Sequence, residues 1–364
     1  FYVPLQYACL SSNSASVNLQ FTVFCIHHTI IILHPSNLMF FITLLLSIII
    51  ITSTHSWLIT WVALEINLMV FIPLILKKNN KYQREAALKY FLIQAIASIL
   101  IIVRLFNIKI FTNLRIFILI NALIIKLAAA PFHQWLPSLV TGLSWNSTLL
   151  VVTTQKIAPI ILLTLNIAKS RAIFVVIIFT TARALTGAVL GLAQSSLQKI
   201  IAYSSIAHLG WIITRVFYRL TMWVSYFIIY TFITATIIFT FYYLNYVYLS
   251  HISNRKQKII NITLSLSLLS LRGLPPFTGF FPKLIILINV LNTPYKIIVI
   301  PLITRTLISL FFYLRVAFAN IFISSIKKKV VNRNKKRSFF IIYLNILMVS
   351  SGFILFLILL DFKL

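Results

Sequence analysis

Residues 57–75 read WLITWVALEINLMVFIPLI, an apolar run that carries one charge, Glu65, near its centre. A helix rises 1.5 Å per residue, so about 20 such residues cross the roughly 30 Å hydrocarbon core of a bilayer. The run has the length and composition of a membrane span, and the rest of the chain repeats the pattern. Of 364 residues, 60% are hydrophobic and only 10% charged, with a mean hydropathy of +1.01. A water-soluble surface needs more polar side chains than this, which excludes a soluble domain. The expected fold class is all-α, a polytopic membrane protein.

Cutting the chain at polar interruptions gives about eleven transmembrane helices, at 37–55, 57–76, 86–106, 110–129, 146–168, 171–193, 197–217, 223–249, 259–291, 296–318 and 338–360. The ninth is too long for one straight span and contains Pro275, Pro276 and Pro282, each without an N–H, so it reads as two half-helices around a break. Pro159 breaks the fifth in the same way. The expectation is therefore a bundle with two broken helices.

The 32 Lys and Arg against 3 Asp and Glu give a formal net charge of +29. No polar domain is present to offer a basic groove, so nucleic acid is not an expected partner. The surplus belongs to topology. Basic clusters (Lys77, Lys78, Lys81 and Arg84; Lys199; Arg255, Lys256 and Lys258; Lys327 to Arg337) follow spans two, six, eight and ten. Eleven spans put all four on one side, which the positive-inside bias makes the cytoplasmic or matrix side, together with the N-terminus. Lys169, Arg171, Arg215 and Arg219 weaken the rule on the other face. The Lys327–Arg337 run suits anionic lipid headgroups. Two cysteines, Cys9 and Cys25, are too few for a four-thiolate iron–sulfur site or a zinc cage, so no metal or redox centre is expected in this chain.

An ionisable side chain at mid-bilayer costs at least about 2.5–3.5 kcal/mol, so each one needs a partner or a function. Glu65 is the only acidic residue central to a span. A carboxyl alone in hydrocarbon stays protonated, whereas one near an ammonium can exchange its proton as hydration changes. Lys126, in IIKLAAAPFHQW, is the expected partner, with Ala128, Ala129 and Ala130 allowing close packing before Pro131 breaks the segment. A buried lysine that can release its proton suits a relay better than a fixed salt bridge. Lys156 lies three residues before Pro159, where freed carbonyls and irregular backbone point to a hydrated cavity. Lys283 follows the second break, GLPPFTGFFPKL, and marks a second such step. His133 and His208 titrate nearest neutrality and can pass protons between the lysines.

Read in order, WVALEINLMVFIPLI, EAALKYFLIQAIAS, KLAAAPFHQWLP, TTQKIAPI, LQKIIAYSSIAHLGW and GLPPFTGFFPKL resemble the chain 2 family of mitochondrial NADH–ubiquinone oxidoreductase, from about Ser36 to the C-terminus. The resemblance implies an antiporter-like fold of eleven helices. It implies a proton-pumping subunit in the membrane arm of respiratory complex I, in the mitochondrial inner membrane, with other membrane-arm subunits as partners. NADH, FMN, iron–sulfur clusters and ubiquinone would then be handled by other subunits. Carried over by motif, Glu65 and Lys126 form the coupled acid–lysine pair, Lys156 is the central broken-helix lysine, and Lys283 is the exit-side lysine. A stand-alone secondary cation/proton antiporter is the alternative, and a structural scaffold is a third reading that the lysines at helix breaks disfavour.

The chain departs from the family pattern where it has Ala128 for Gly, Thr154 for Trp and Arg272 for a small residue. Arg104, Arg183 and Arg305 also fall in apolar spans with too few carboxylates to serve them. Only 4 Met accompany abundant Ile. One explanation covers both oddities: translation by the standard code of a gene whose invertebrate mitochondrial code reads AGA and AGG as Ser and ATA as Met. Several of these arginines are then serines in the native protein.

Residues 1–36 are less apolar, contain no Lys or Arg, and are expected to be a non-native or disordered extension, with the transmembrane domain over 37–364 and a true start near Ile30 to Met39. N-terminal peptide mapping of the mature protein is expected to return nothing from Tyr2–Gln20; peptides from that stretch would refute the assignment.

Overall fold

The computed structural model describes residues 35–326 except 55, 77–79, 107–111, 168–185, 219–222, 254–257, 276, 293–295 and 297–298. The first four helices run α1 (Pro35–Ser53), α2 (Trp57–Ile75), α3 (Lys81–Phe106) and α4 (Thr112–Lys126). A short α5 (Trp135–Val140) precedes α6 (Trp145–Val152) and α7 (Thr154–Ile167). Residues 186–192 are helical. Then come α8 (Leu197–Tyr218), α9 (Trp223–Leu244), the short α10 (Leu249–Ser253), α11 (Lys258–Arg272), α12 (Phe280–Leu291) and α13 (Val299–Ile326). Among the described residues there is no strand beyond an isolated bridge between Ser196 and Tyr248.

Five helical stretches among these are long and apolar enough to cross a membrane by themselves: α1, α2, α3, α9 and the paired α6–α7. The ninth expected span is split between Arg272 and Phe280, as expected, whereas the fifth is split at Thr153 and not at Pro159, which the following helix α7 accommodates. The first part of the sixth span and all of the eleventh lie outside the described residues, as do residues 1–34, Pro276 and the Lys327–Arg337 run. The short helices α5 and α10 were not anticipated. Each is too brief to produce a repeating apolar face.

The packing is inside-out relative to a soluble bundle. On α3, Leu88, Leu92, Ile96 and Ile99 are exposed along one face, while Gln83, Ala86, Tyr90, Gln94, Ala97 and Ser98 are buried on the other. Lipid tails are as apolar as leucine, so outward leucines lose nothing, whereas polar groups must turn inward to find partners. α1 packs on α2, α2 on α3 and α3 on α4, as short connections between consecutive spans require. Small residues at these seams, including Ala63, Ala86, Ala87 and Ala122, let the backbones approach closely.

One close approach involves Gly142, in the turn between α5 and α6. A Cβ there would lie 2.4 Å from the Tyr82 carbonyl oxygen and 3.0 Å from Ala86 Cβ, at the start of α3. Relieving that overlap means moving backbone, at a cost of about 1–3 kcal/mol. Gly142→Ala is expected to lower the melting temperature of the protein in detergent; an unchanged transition would show that the seam has slack.

Candidate functional site

Three helix interruptions set the buried cations. The first ends α4, whose last residue is Lys126. Ala128 adopts φ 54°, the Ala129 N–H donates to the Ile124 carbonyl at 3.1 Å, and the Ala128 N–H to the Ile125 carbonyl at 3.0 Å. This is a Schellman closure with Ala128 at the left-handed position, where glycine is free of Cβ strain, which gives a physical reason for the glycine that the family resemblance puts at 128. Lys126 is buried at a helix C-terminus, where the backbone dipole favours a cation. Its carbonyl accepts from Gln94 Nε2 at 3.5 Å, and the Ile125 carbonyl accepts from Trp135 Nε1 at 3.2 Å.

The second interruption is Thr153, with φ −114° and ψ −79°, between α6 and α7. Its hydroxyl donates to the Leu149 carbonyl at 2.7 Å, and the Lys156 N–H donates to the Thr153 carbonyl at 3.1 Å. Pro159, inside α7, has no N–H to give the Gln155 carbonyl. Lys156 is buried, and its ammonium has no hydrogen-bond partner among the described residues. The freed carbonyls expected around it do not reach it. It lies instead 5.9 Å from the centroid of the Tyr230 ring.

Lys126 and Lys156 line one small cavity with Tyr90, Gln94, Trp135 and Gln155, just large enough for a water molecule. The Tyr90 hydroxyl donates to Gln155 Oε1 at 3.1 Å, joining α3 to α7 across it. Glu65 is half-buried on α2, and its charge acts on Lys126. The expected Glu65–Lys126 ion pair is nevertheless not closed: among the described residues the only contact pair is Lys89–Glu85, 2.6 Å apart on the outer face of α3.

The third interruption separates α11 from α12. Gly273 ends α11 at φ +75°, and Gly279 passes so near the Ser270 carbonyl oxygen that a Cβ would lie 1.9 Å from it. Lys283, one turn into α12, donates to the carbonyl of Arg272, the last residue of α11. A lysine after the break thus takes a carbonyl left open before it.

His208, buried on α8, stands between the two broken spans. Its Nδ1 is 2.7 Å from the Tyr226 hydroxyl, and its ring centroid is 4.9 Å from that of Tyr230. The charges of Lys283, Arg305, Arg272 and Lys156 all act on it. His133 lies apart. Its Nδ1 is 3.1 Å from the Pro131 carbonyl, which can only accept, so Nδ1 carries the proton and the buried Nε2 has no partner among the described residues. It is not among the residues lining the Lys126–Lys156 cavity.

The structure brings Lys126 and Lys156 to one cavity and Lys156 and His208 to the Tyr230 ring, while Glu65 and Lys283 act on Lys126 and His208 by charge, and His133 does not line that cavity. The sequence reading missed Tyr90, Gln94, Gln155, Tyr226 and Tyr230. A signal existed: Tyr226, Tyr230 and Thr234 recur at every fourth position of α9, all of them buried. Among the described residues no group of three or more His, Cys, Asp or Glu is placed to hold a metal.

The transmembrane-region model of the NADH:quinone oxidoreductase/Mrp antiporter family matches residues 54–309. The chain belongs to this family. NADH-ubiquinone oxidoreductase chain 2 of Locusta migratoria is 36% identical over 297 residues, covering 78% of this chain and 85% of the relative. The chain 2 protein of Anopheles gambiae is 37% identical over 295 residues, with the same coverage of 78% and 85%. Among solved structures, respiratory complex I from Thermus thermophilus with bound Aureothin aligns with a TM-score of 0.74 at 22% identity, covering 87% of this chain and 77% of that one. The Mrp complex from Dietzia sp. DQ12-45-1b aligns with a TM-score of 0.68 at 18% identity, covering 80% and 60%. These likenesses show the antiporter-like membrane fold.

The intramembrane arginines fit this fold poorly. Arg305 is 2% exposed, and its Nε and Nη1 have no hydrogen-bond partner among the described residues. Arg104 lies over the Trp57 ring at 3.9 Å, with Nη1 likewise unserved. Arg272 is buried against Tyr313, 4.6 Å from the ring centroid. Arg183 falls outside the described residues. Leaving one charge of this kind buried without a counter-ion costs several kcal/mol. Peptide sequencing of the native protein by mass spectrometry is expected to find serine at several of positions 104, 183, 272 and 305; arginine at 183 and 272 would refute the recoding.

Proposed function

We propose that this chain is a proton-translocating subunit in the membrane arm of mitochondrial NADH–ubiquinone oxidoreductase. Redox energy released elsewhere in the complex changes hydration and pairing along Glu65, Lys126, Lys156, His208 and Lys283. The observation that carries the reading is the shared cavity of Lys126 and Lys156, followed by His208 and Lys283, with no carboxylate closing an ion pair on any of them among the described residues. A purely structural set of buried cations would be expected to hold counter-ions. Moving one proton against about 100 mV costs about 2.3 kcal/mol, which the rearrangement of one buried charge pair matches.

The chain itself binds no cofactor in this reading, and NADH, FMN, iron–sulfur clusters and ubiquinone are handled by other subunits. It sits in the inner mitochondrial membrane with its N-terminus on the matrix side, beside other membrane-arm subunits and anionic lipid. His133 serves its own turn rather than the relay. The matched family also takes in the Mrp antiporter, and a stand-alone cation/proton antiporter is the alternative reading.

Native separation after mild detergent extraction distinguishes the two. Co-migration with NADH dehydrogenase activity is expected, whereas a small assembly that transports protons without NADH would establish the antiporter. Within the assembled complex, Lys156→Met is expected to lower the number of protons moved per NADH while assembly persists. Undiminished pumping by that variant would count against the relay.

A further inference from the structure

Lys156 and His208 lie on different helices with no hydrogen bond between them. What stands against both is a third helix, α9. We propose that Tyr230 and Tyr226, one turn apart on α9, are the positioning residues that couple Lys156 to His208, Tyr230 through its ring and Tyr226 through its hydroxyl. The proposal rests on the relay reading above and names the link within it.

The Tyr230 ring centroid is 5.9 Å from the Lys156 ammonium and 4.9 Å from the His208 ring. An aromatic face is electron-rich and attracts a cation within about 6 Å, more strongly where water is excluded. Lys156, buried and without a hydrogen-bond acceptor among the described residues, has this face as its nearby attraction. A proton on His208 puts a second cation against the same ring, so charge on one residue opposes charge on the other. That opposition is what a relay needs if the two sites are to be filled in turn.

Tyr226 does the complementary work. A phenol hydroxyl can donate to a neutral imidazole nitrogen or accept from a protonated one. At 2.7 Å from Nδ1 it holds His208 in one orientation through both states. With Nδ1–H donating to the phenol oxygen in both states, Nε2 is the nitrogen left to gain and lose the transferred proton.

The two tyrosines make opposite demands, which separates their roles from simple packing. The assembled complex is reconstituted in proteoliposomes, and protons moved per NADH oxidised are measured with ubiquinone as acceptor. Tyr230→Leu is expected to lower that ratio as far as Lys156→Met does, and Tyr230→Phe, which keeps the ring, to restore most of it. Tyr226→Phe, which removes one oxygen, is expected to lower the ratio although the ring remains.

If Tyr230→Phe falls as far as Tyr230→Leu, or Tyr226→Phe pumps like the unaltered complex, the proposal is overturned. Should Tyr230→Leu fail to assemble, Tyr226→Phe decides alone by the same criterion. Lys156→Met is the internal control. If it lowers pumping while the tyrosine variants do not, the link fails and the relay stands; if it pumps normally, the relay reading fails with it.

Discussion

The cost of holding charge in hydrocarbon governs this structure. Each mid-membrane cation must be turned inward, placed beside a helix end or an aromatic face, and kept from lipid. The outward faces are therefore free to be monotonously apolar, as α3 shows with its Leu88, Leu92, Ile96 and Ile99 stripe. The inward faces gather nearly all the chemical variety. Lys126, Lys156 and Lys283 each sit at or just after an interruption of regular helix, at the end of α4, after Thr153 and after the Gly273–Gly279 turn. A straight helix consumes its own carbonyls and leaves a buried ammonium nothing to hold. Broken helices solve that problem in different ways: a carbonyl for Lys283, a helix terminus for Lys126, an aromatic ring for Lys156.

Much of the fold was legible in the chain because membrane spans are read from run length and not from subtle periodicity. Pro275 marked the break in the ninth span, while in the fifth Pro159 pointed to the right span but not to the interruption, which falls at Thr153; the lysines beside them were the natural site residues. What was not legible depends on contacts between helices. The Glu65–Lys126 ion pair was expected because each was the other's obvious counter-ion, yet the acid influences the lysine without touching it. Closing the pair fully would fix both charges, which a relay does not need. His133 looked equivalent to His208 in the sequence. One is committed to the carbonyl two residues before it, the other to a tyrosine on a neighbouring helix.

The tyrosines escaped notice for a physical reason. In a membrane protein a tyrosine is ordinarily an interfacial residue, with its ring in the acyl region and its hydroxyl in water. Tyr226 and Tyr230 lie instead within the buried face of α9, where their rings meet His208. Only the spacing of four, continued by Thr234, distinguishes them from an interfacial belt. Gln94 and Gln155 are similar cases: uncharged amides whose significance emerges when α3, α4 and α7 converge on one cavity.

Lys283 grips the carbonyl of Arg272, so the side chain of one half-helix is tied to the backbone of the other. Gly279, pressed against the Ser270 carbonyl, leaves almost no free play in the loop between them. Two half-helices joined by a short turn are thus also tied by one lysine–carbonyl hydrogen bond. If Lys283 carries a relay proton, losing it would weaken that hold, and α13, which packs along α11, is the neighbour that would meet the change. A change of charge at that single nitrogen would then be felt by two helices as well as by the side chain.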